Sequence, residues 1–286
     1  MTASRSVAIQ RVFLGLLIAN LAVVWAKVVI GARTGSLSVL GDAIHASVDA
    51  LNNIIFIALM RVAGSAPDED HPYGHGKFEV LGALGIVVFL SVSCFELLKG
   101  AAGRLVSSAP SPILTDFDLA LLGATLAVNM WVAWYEASRG RALGSELLLA
   151  DAAHTRAHVF ITAGVIGGGV LARVGVQRVD PVLAIVITFL IVRIGYQIVR
   201  RAVPILVDHV AREPGKIRAT AEGVPGVEAA YHIRSRSSAG VIFAELTIGV
   251  AGALAVERAH EIADAVETRL KNDLSLDEVV VHIEPC

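Results

Sequence analysis

Two stretches decide the fold: Gly41-Asp42-Ala43-Ile44-His45-Ala46-Ser47-Val48-Asp49 and Ala150-Asp151-Ala152-Ala153-His154-Thr155-Arg156-Ala157-His158. Each lies inside a mostly apolar run, residues 37–61 and 146–172, and a membrane span needs about 20 such residues. Laid over each other, they share Asp-Ala-x-His followed four residues later by a second ligand-type side chain. Positions i and i+4 lie on one face of a helix. Each span therefore offers a two-ligand half-site, His45 with Asp49 and His154 with His158. Two such faces pressed together supply three imidazoles and one carboxylate, the number that a tetrahedral divalent metal requires. A single intramembrane histidine reads equally well as an interhelical hydrogen bond. Four ionisable groups in matched pairs read as ligands, because each costs about 2.5–3.5 kcal/mol if charged and facing lipid. Asp42 and Asp151, three residues before the first histidine of each pair, read either as acceptors that orient those imidazoles or as proton carriers.

Working outward, four more apolar runs reach spanning length, residues 8–31, 79–103, 113–137 and 180–204, and short turn-rich or charged breaks separate them. Residues 1–205 are thus expected to form a membrane domain of six helices. An even number puts both termini on one side. Eight Lys and Arg flank the spans there (Arg5, Arg11, Arg61, Lys77, Arg139, Arg141, Arg200, Arg201) against five opposite (Arg33, Lys99, Arg104, Arg173, Arg178). The bias predicts cytoplasmic termini in a cell (inner) membrane protein. The first apolar run continues without a small-residue cleavage site and reads as a retained helix.

Composition agrees. Of 286 residues, 55% are hydrophobic and 17% charged, where a soluble domain carries about 25% charged. Disordered and fibrous classes are excluded, and a net charge of −2 argues against a nucleic-acid partner. The lipid bilayer is the expected surrounding. No His-Glu-x-x-His pair supports an intramembrane metalloprotease, and no Gly-rich phosphate loop supports ATP-driven pumping; the chain does not read as an enzyme.

After Arg201 the texture changes. Residues 1–205 hold 16 Lys and Arg against 13 Asp and Glu; residues 206–286 hold 8 against 13. The tail reads as helix Glu213–Gly223, strands Val227–Arg236 and Val241–Val250 around a Ser238-Ala239-Gly240 turn, helix Val256–Leu270 and strand Glu278–Glu284. This α-β-β-α-β order predicts a small open sheet with helices on one face. A body of this size gains from dimerisation. Its histidines read as surface residues or, if the first and last strands are adjacent, as a site where His232, His282 and Glu284 share a face, with His260 on the intervening helix. The loop Asp68-Glu69-Asp70-His71-Pro72-Tyr73-Gly74-His75 reads as a solvated turn or as a second metal site built on Asp68, His71 and His75.

The paired Asp-Ala-x-His motifs, the loop His71-Pro72-Tyr73-Gly74-His75-Gly76-Lys77-Phe78-Glu79 and the closing His282-Ile283-Glu284-Pro285-Cys286 resemble the cation diffusion facilitator family over essentially the whole chain. The resemblance implies a homodimeric, proton-coupled exporter of divalent transition metals with a metallochaperone-like cytoplasmic domain. It maps the transport site onto His45, Asp49, His154 and His158, a loop site onto Asp68, His71 and His75, and regulatory sites onto His232, His260, His282 and Glu284. It also implies a charge interlock between protomers involving Lys77 and Asp208. Two departures stand out: His158 occupies a position where zinc-type members commonly carry aspartate, and Thr247 stands where relatives can place a further histidine.

An imidazole-rich tetrahedral set suits zinc, cobalt or nickel better than manganese, with ferrous iron open; zinc is the expected substrate. Metal binds deprotonated ligands, so protons are the expected counter-ion. The competing expectation is a sensor or scaffold of the same fold that binds metal without moving it.

Overall fold

The computed structural model describes residues 3–34, 37–107, 115–174, 179–238 and 240–286, and the chain divides into two compact units, residues 2–202 and 203–286. The side chains of Asp42 and His45 lie outside the described residues.

Six long helices dominate the first unit: α1 Ala3–Thr34, α2 Leu37–Ala63, α3 Lys77–Ser107, α4 Asp116–Leu143, α5 Glu146–Arg173 and α6 Val179–Leu206. Among the described residues, four of them are long and apolar enough to cross a membrane, over Ser4–Ala26, Lys77–Gly103, Asp116–Leu143 and Val182–Leu206. The other two, α2 and α5, have 27 and 28 residues and carry the polar motifs. Large apolar side chains face outward on this unit. Phe95 is 65% exposed and Phe189 68%, a surface suited to lipid rather than water.

Helix α1 packs along α2 and α4 along α5, while α3 lies against α5 and α2. Between α1 and α2, Phe13 meets Phe56 at 5.3 Å between ring centroids, and the Ser6 hydroxyl donates to the Met60 carbonyl at 2.6 Å. The α4–α5 connection is a tight hairpin with a local cause. Gly144 adopts φ 57°, in the left-handed region, and its N–H bonds the Gly140 and Arg141 carbonyls. Ser145 then caps α5, its Oγ accepting from Leu148 N at 3.3 Å. Gly140 is buried, and a Cβ there would press on Leu149 side-chain and backbone atoms at 3.0–3.1 Å.

A buried ion pair ties this hairpin to two other helices. Glu79 of α3 is 1% exposed. It accepts from both terminal nitrogens of Arg5 of α1, at 2.8 and 3.2 Å, and from Ser145 Oγ at 2.6 Å. Arg5 also donates to the Leu143 and Gly144 carbonyls, each at 2.7 Å. One guanidinium thereby satisfies a carboxylate and the open carbonyls at the end of α4.

The second unit contains α7 Pro214–Glu222, β1 Ala229–Ser238, β2 Val241–Val250, α8 Val256–Leu274 and β3 Glu278–Pro285. The sheet order is β1-β2-β3, with β1–β2 antiparallel and β2–β3 parallel. Alternate residues Ala244, Leu246 and Ile248 of β2 point into a core with Ile217 and Ala221 of α7 and Ile262, Val266 and Leu270 of α8. One arrangement is corrected. The first and last strands are not neighbours; they flank β2, whose Thr247 pairs with His282 on one side and Tyr231 on the other. The β1–β2 hairpin occupies one edge of β2, and the crossover through α8 brings β3 back parallel to β2 at its other edge.

Candidate metal centre

Helix register sets up the membrane site. His154 and His158 lie on one face of α5, eight and twelve residues beyond Glu146. At about 1.5 Å per residue these are roughly 12 and 18 Å from the hairpin end. Their Nε2 atoms stand 3.2 Å apart, with the rings perpendicular. Asp49 of α2 closes on them, so that a carboxylate oxygen and two imidazole nitrogens all lie within 4.8 Å of one another. All three residues are half-buried. Metal–nitrogen bonds of about 2.0–2.1 Å in a tetrahedron put ligand nitrogens roughly 3.3 Å apart, close to the spacing present here.

Asp151, one turn before His154, is 7% exposed and shares a hydrogen bond with Glu136 of α4, itself 3% exposed. Glu136 Oε2 also accepts from Thr155 Oγ1 at 2.9 Å. Sequence reasoning passed over Glu136 and Thr155. The available signal was an acidic residue inside the fourth apolar run, where insertion is costly.

The loop between α2 and α3 folds around Asp68. Its Oδ1 accepts from the His71 backbone N–H at 2.7 Å and stands 3.2 Å from His71 Nδ1; its Oδ2 stands 3.4 Å from His75 Nε2. The amide contact is the main reason that the Asp68 carboxyl is held below its usual range, against a smaller opposing effect of desolvation. The two imidazoles are 4.2 Å apart between centroids, and His75 stacks on Phe78 at 5.9 Å. Gly74, at φ 77°, makes the turn that brings His75 back, its N–H bonding the His71 carbonyl at 2.8 Å. Asp68, His71 and His75 offer three ligand atoms within 4.8 Å of one another. His75 Nδ1 is buried with no hydrogen-bond partner among the described residues.

The second unit brings part of its set together. His232, Thr247, His282 and Glu284 line a shallow open depression with Arg234, Glu245 and Val280. His282 Nε2 is 3.6 Å from Glu284 Oε1, and the Tyr231 hydroxyl donates to Glu284 Oε2 at 2.6 Å. That bond to a carboxylate pushes the Tyr231 phenol up to about 12. His232 sits at a break in the β1–β2 register with φ 51°, a conformation that side chains of this kind adopt at a cost. His260 is not in the depression. It lies exposed on α8, which packs on the other face of the sheet, 3.7 Å from Asp264. Asp208 pairs with Arg236 at 3.8 Å.

Comparison with known proteins agrees with this division. Residues 13–207 match the family model of the cation efflux transmembrane domain, and residues 212–286 match that of the cation efflux protein cytoplasmic domain. Metal tolerance protein C1 of Arabidopsis thaliana is 29% identical over 296 residues, covering 96% of this chain. The match spans only 62% of the length of that plant protein. The manganese efflux system protein MneS of Bacillus subtilis is 27% identical and covers 91% of this chain and 89% of its own. The magnetosome protein MamM of Paramagnetospirillum magneticum is 31% identical, covering 84% and 77%. A solved MamM CTD is 36% identical over 25% of this chain and 91% of that one, with a TM-score of 0.25. With residues 13–207 and 212–286 both matched, the chain belongs to the cation efflux, or cation diffusion facilitator, family.

Proposed function

We propose that this cation efflux transporter carries zinc out of the cytoplasm in exchange for protons, as a homodimer in the cell membrane. In this reading residues 1–205 form six spans with both termini cytoplasmic, and residues 206–286 form the cytoplasmic domain. The supporting observation is the donor set: His154 and His158 present two nitrogens 3.2 Å apart, the spacing of tetrahedral ligands, with an Asp49 carboxylate oxygen within 4.8 Å of both, and His45 is assigned as the fourth. Imidazole-dominated tetrahedral sites favour zinc, cobalt, nickel and ferrous iron over manganese, which prefers oxygen donors. The metal is the cargo, so the ligands must also release it. Imidazole nitrogens bind either a metal or a proton, and an incoming proton on His154 or His158 displaces the metal while Asp49 keeps the site attractive to the next cation.

The loop cluster Asp68, His71 and His75 is assigned as a second metal site. His232, His282 and Glu284 form a regulatory site on the sheet. His260 joins this set from a second copy of the chain, since its own helix lies on the opposite face.

The test is uptake into proteoliposomes bearing a pH gradient, with zinc, iron, cobalt, nickel and manganese offered separately. Zinc uptake that grows with the gradient and vanishes in Asp49→Ala, with the variant still folded, is the expected result. Metal that binds but does not move would replace the carrier by a sensor or scaffold.

A further inference from the structure

The ligands leave a charge problem. A divalent cation bound by neutral imidazoles and the single carboxylate of Asp49 keeps a net charge of +1, and such a charge in a low-dielectric interior is costly unless something offsets it. Among the described residues, two carboxyl groups that are not ligands stand beside the site. Asp151 lies about one helical turn from His154, on its hairpin side, and hydrogen-bonds Glu136. Glu136 also bonds the hydroxyl of Thr155, the residue next to His154. Both acids are more than nine-tenths buried. The nearest cation in sequence, Arg156, is exposed and lines a different crevice, with Gln197 and Arg201.

A hydrogen bond between two carboxyl groups needs at least one proton, and a pair that keeps only one carries a single negative charge. We propose that Glu136 and Asp151 together supply the second negative charge of the transport site, setting its preference for divalent cations. They lie between the site and the α4–α5 hairpin end, so their field also draws the ion inward from that side. Neither touches the metal; Glu136 is a positioning residue that acts through Asp151 and Thr155. This inference rests on the assignment of Asp49, His154 and His158 as the transport site.

Sharing a single charge has a consequence that packing alone would not produce. If one acid becomes an amide, the other still ionises and the charge survives. Glu136→Gln and Asp151→Asn should each change zinc affinity by no more than about 3-fold. The double variant loses the charge and should weaken binding by about 10-fold or more, the scale on which groups outside the ligand set tune metal sites. The full-length protein in detergent would be titrated with zinc by calorimetry, with KM and kcat from proteoliposomes and thermal midpoints alongside. KM rising with affinity loss in the double variant, while kcat and the midpoint hold, supports the pair as an electrostatic element. A double variant that binds zinc like the wild type overturns it, as does a full loss in Glu136→Gln alone. Glu136→Leu serves as the packing control, since it should lower the midpoint, whereas the isosteric amides should not. Asp49→Asn is run beside these: unchanged zinc affinity there would overturn the site assignment itself rather than the pair.

Discussion

Glu79→Ala is the sharpest test of how this membrane domain holds its site in place. Glu79 is 1% exposed and accepts three hydrogen bonds, two from Arg5 and one from Ser145. Removing one partner of a buried ion pair leaves the other charge uncompensated, at a cost of about 3–5 kcal/mol. For a body of about 200 residues each kcal/mol moves the thermal midpoint by roughly 2–4 °C, so a fall of roughly 6–20 °C is expected in detergent. Arg5→Met/Glu79→Leu removes both charges and should cost less than the two single changes added. It still loses the bonds from Arg5 to the Leu143 and Gly144 carbonyls, each worth about 1.5–3 kcal/mol for a charged donor. The coupling in the double-mutant cycle should be roughly 2 kcal/mol. Because Ser145 starts α5, zinc affinity should fall in step with the midpoint. A midpoint within about 3 °C of wild type in Glu79→Ala, or a coupling near zero, would refute the view that this ion pair anchors the hairpin.

His158→Asp replaces one nitrogen donor by oxygen and adds a negative charge; manganese uptake relative to zinc should rise, and an unchanged order of metals in the liposome assay would remove His158 from metal selection. Asp68→Ala should lower the number of zinc ions bound per chain by one while transport persists, as counted by equilibrium dialysis; loss of all uptake would make the loop part of the transport path. Tyr231 should give a pH signature. Its folded pKa lies near 12 against an ordinary 10, so the stability that its bond to Glu284 contributes is complete below about pH 10 and is lost as pH rises through 12. Tyrosinate absorbance of wild type minus Tyr231→Phe should reveal one phenol ionising near pH 12, and a difference curve centred near 10 would contradict the bond.

Much of the site was legible locally. The i, i+4 spacing by itself put His154 and His158 on one face, and the expected span 146–172 differs by one residue from the observed α5, Glu146–Arg173. The turn formers Pro72 and Gly74 likewise lie in the stretch that returns His75 to Asp68. These are short-range matters, governed by helix periodicity and backbone preference within a few residues. Which faces meet is a different question. That Asp49 closes on α5, that Glu136 backs Asp151, and that Glu79 receives Arg5 and Ser145 across three segments depend on how helices pack. Similar apolar faces permit many packings, and the sequence does not rank them. The sheet makes the same point. Its strands were readable from alternation, but their order was not, and that order puts Thr247 between Tyr231 and His282 while leaving His260 on the far side. Periodicity decides what each segment presents; only long-range packing, with its demand that every buried charge find a partner, decides what it is presented to.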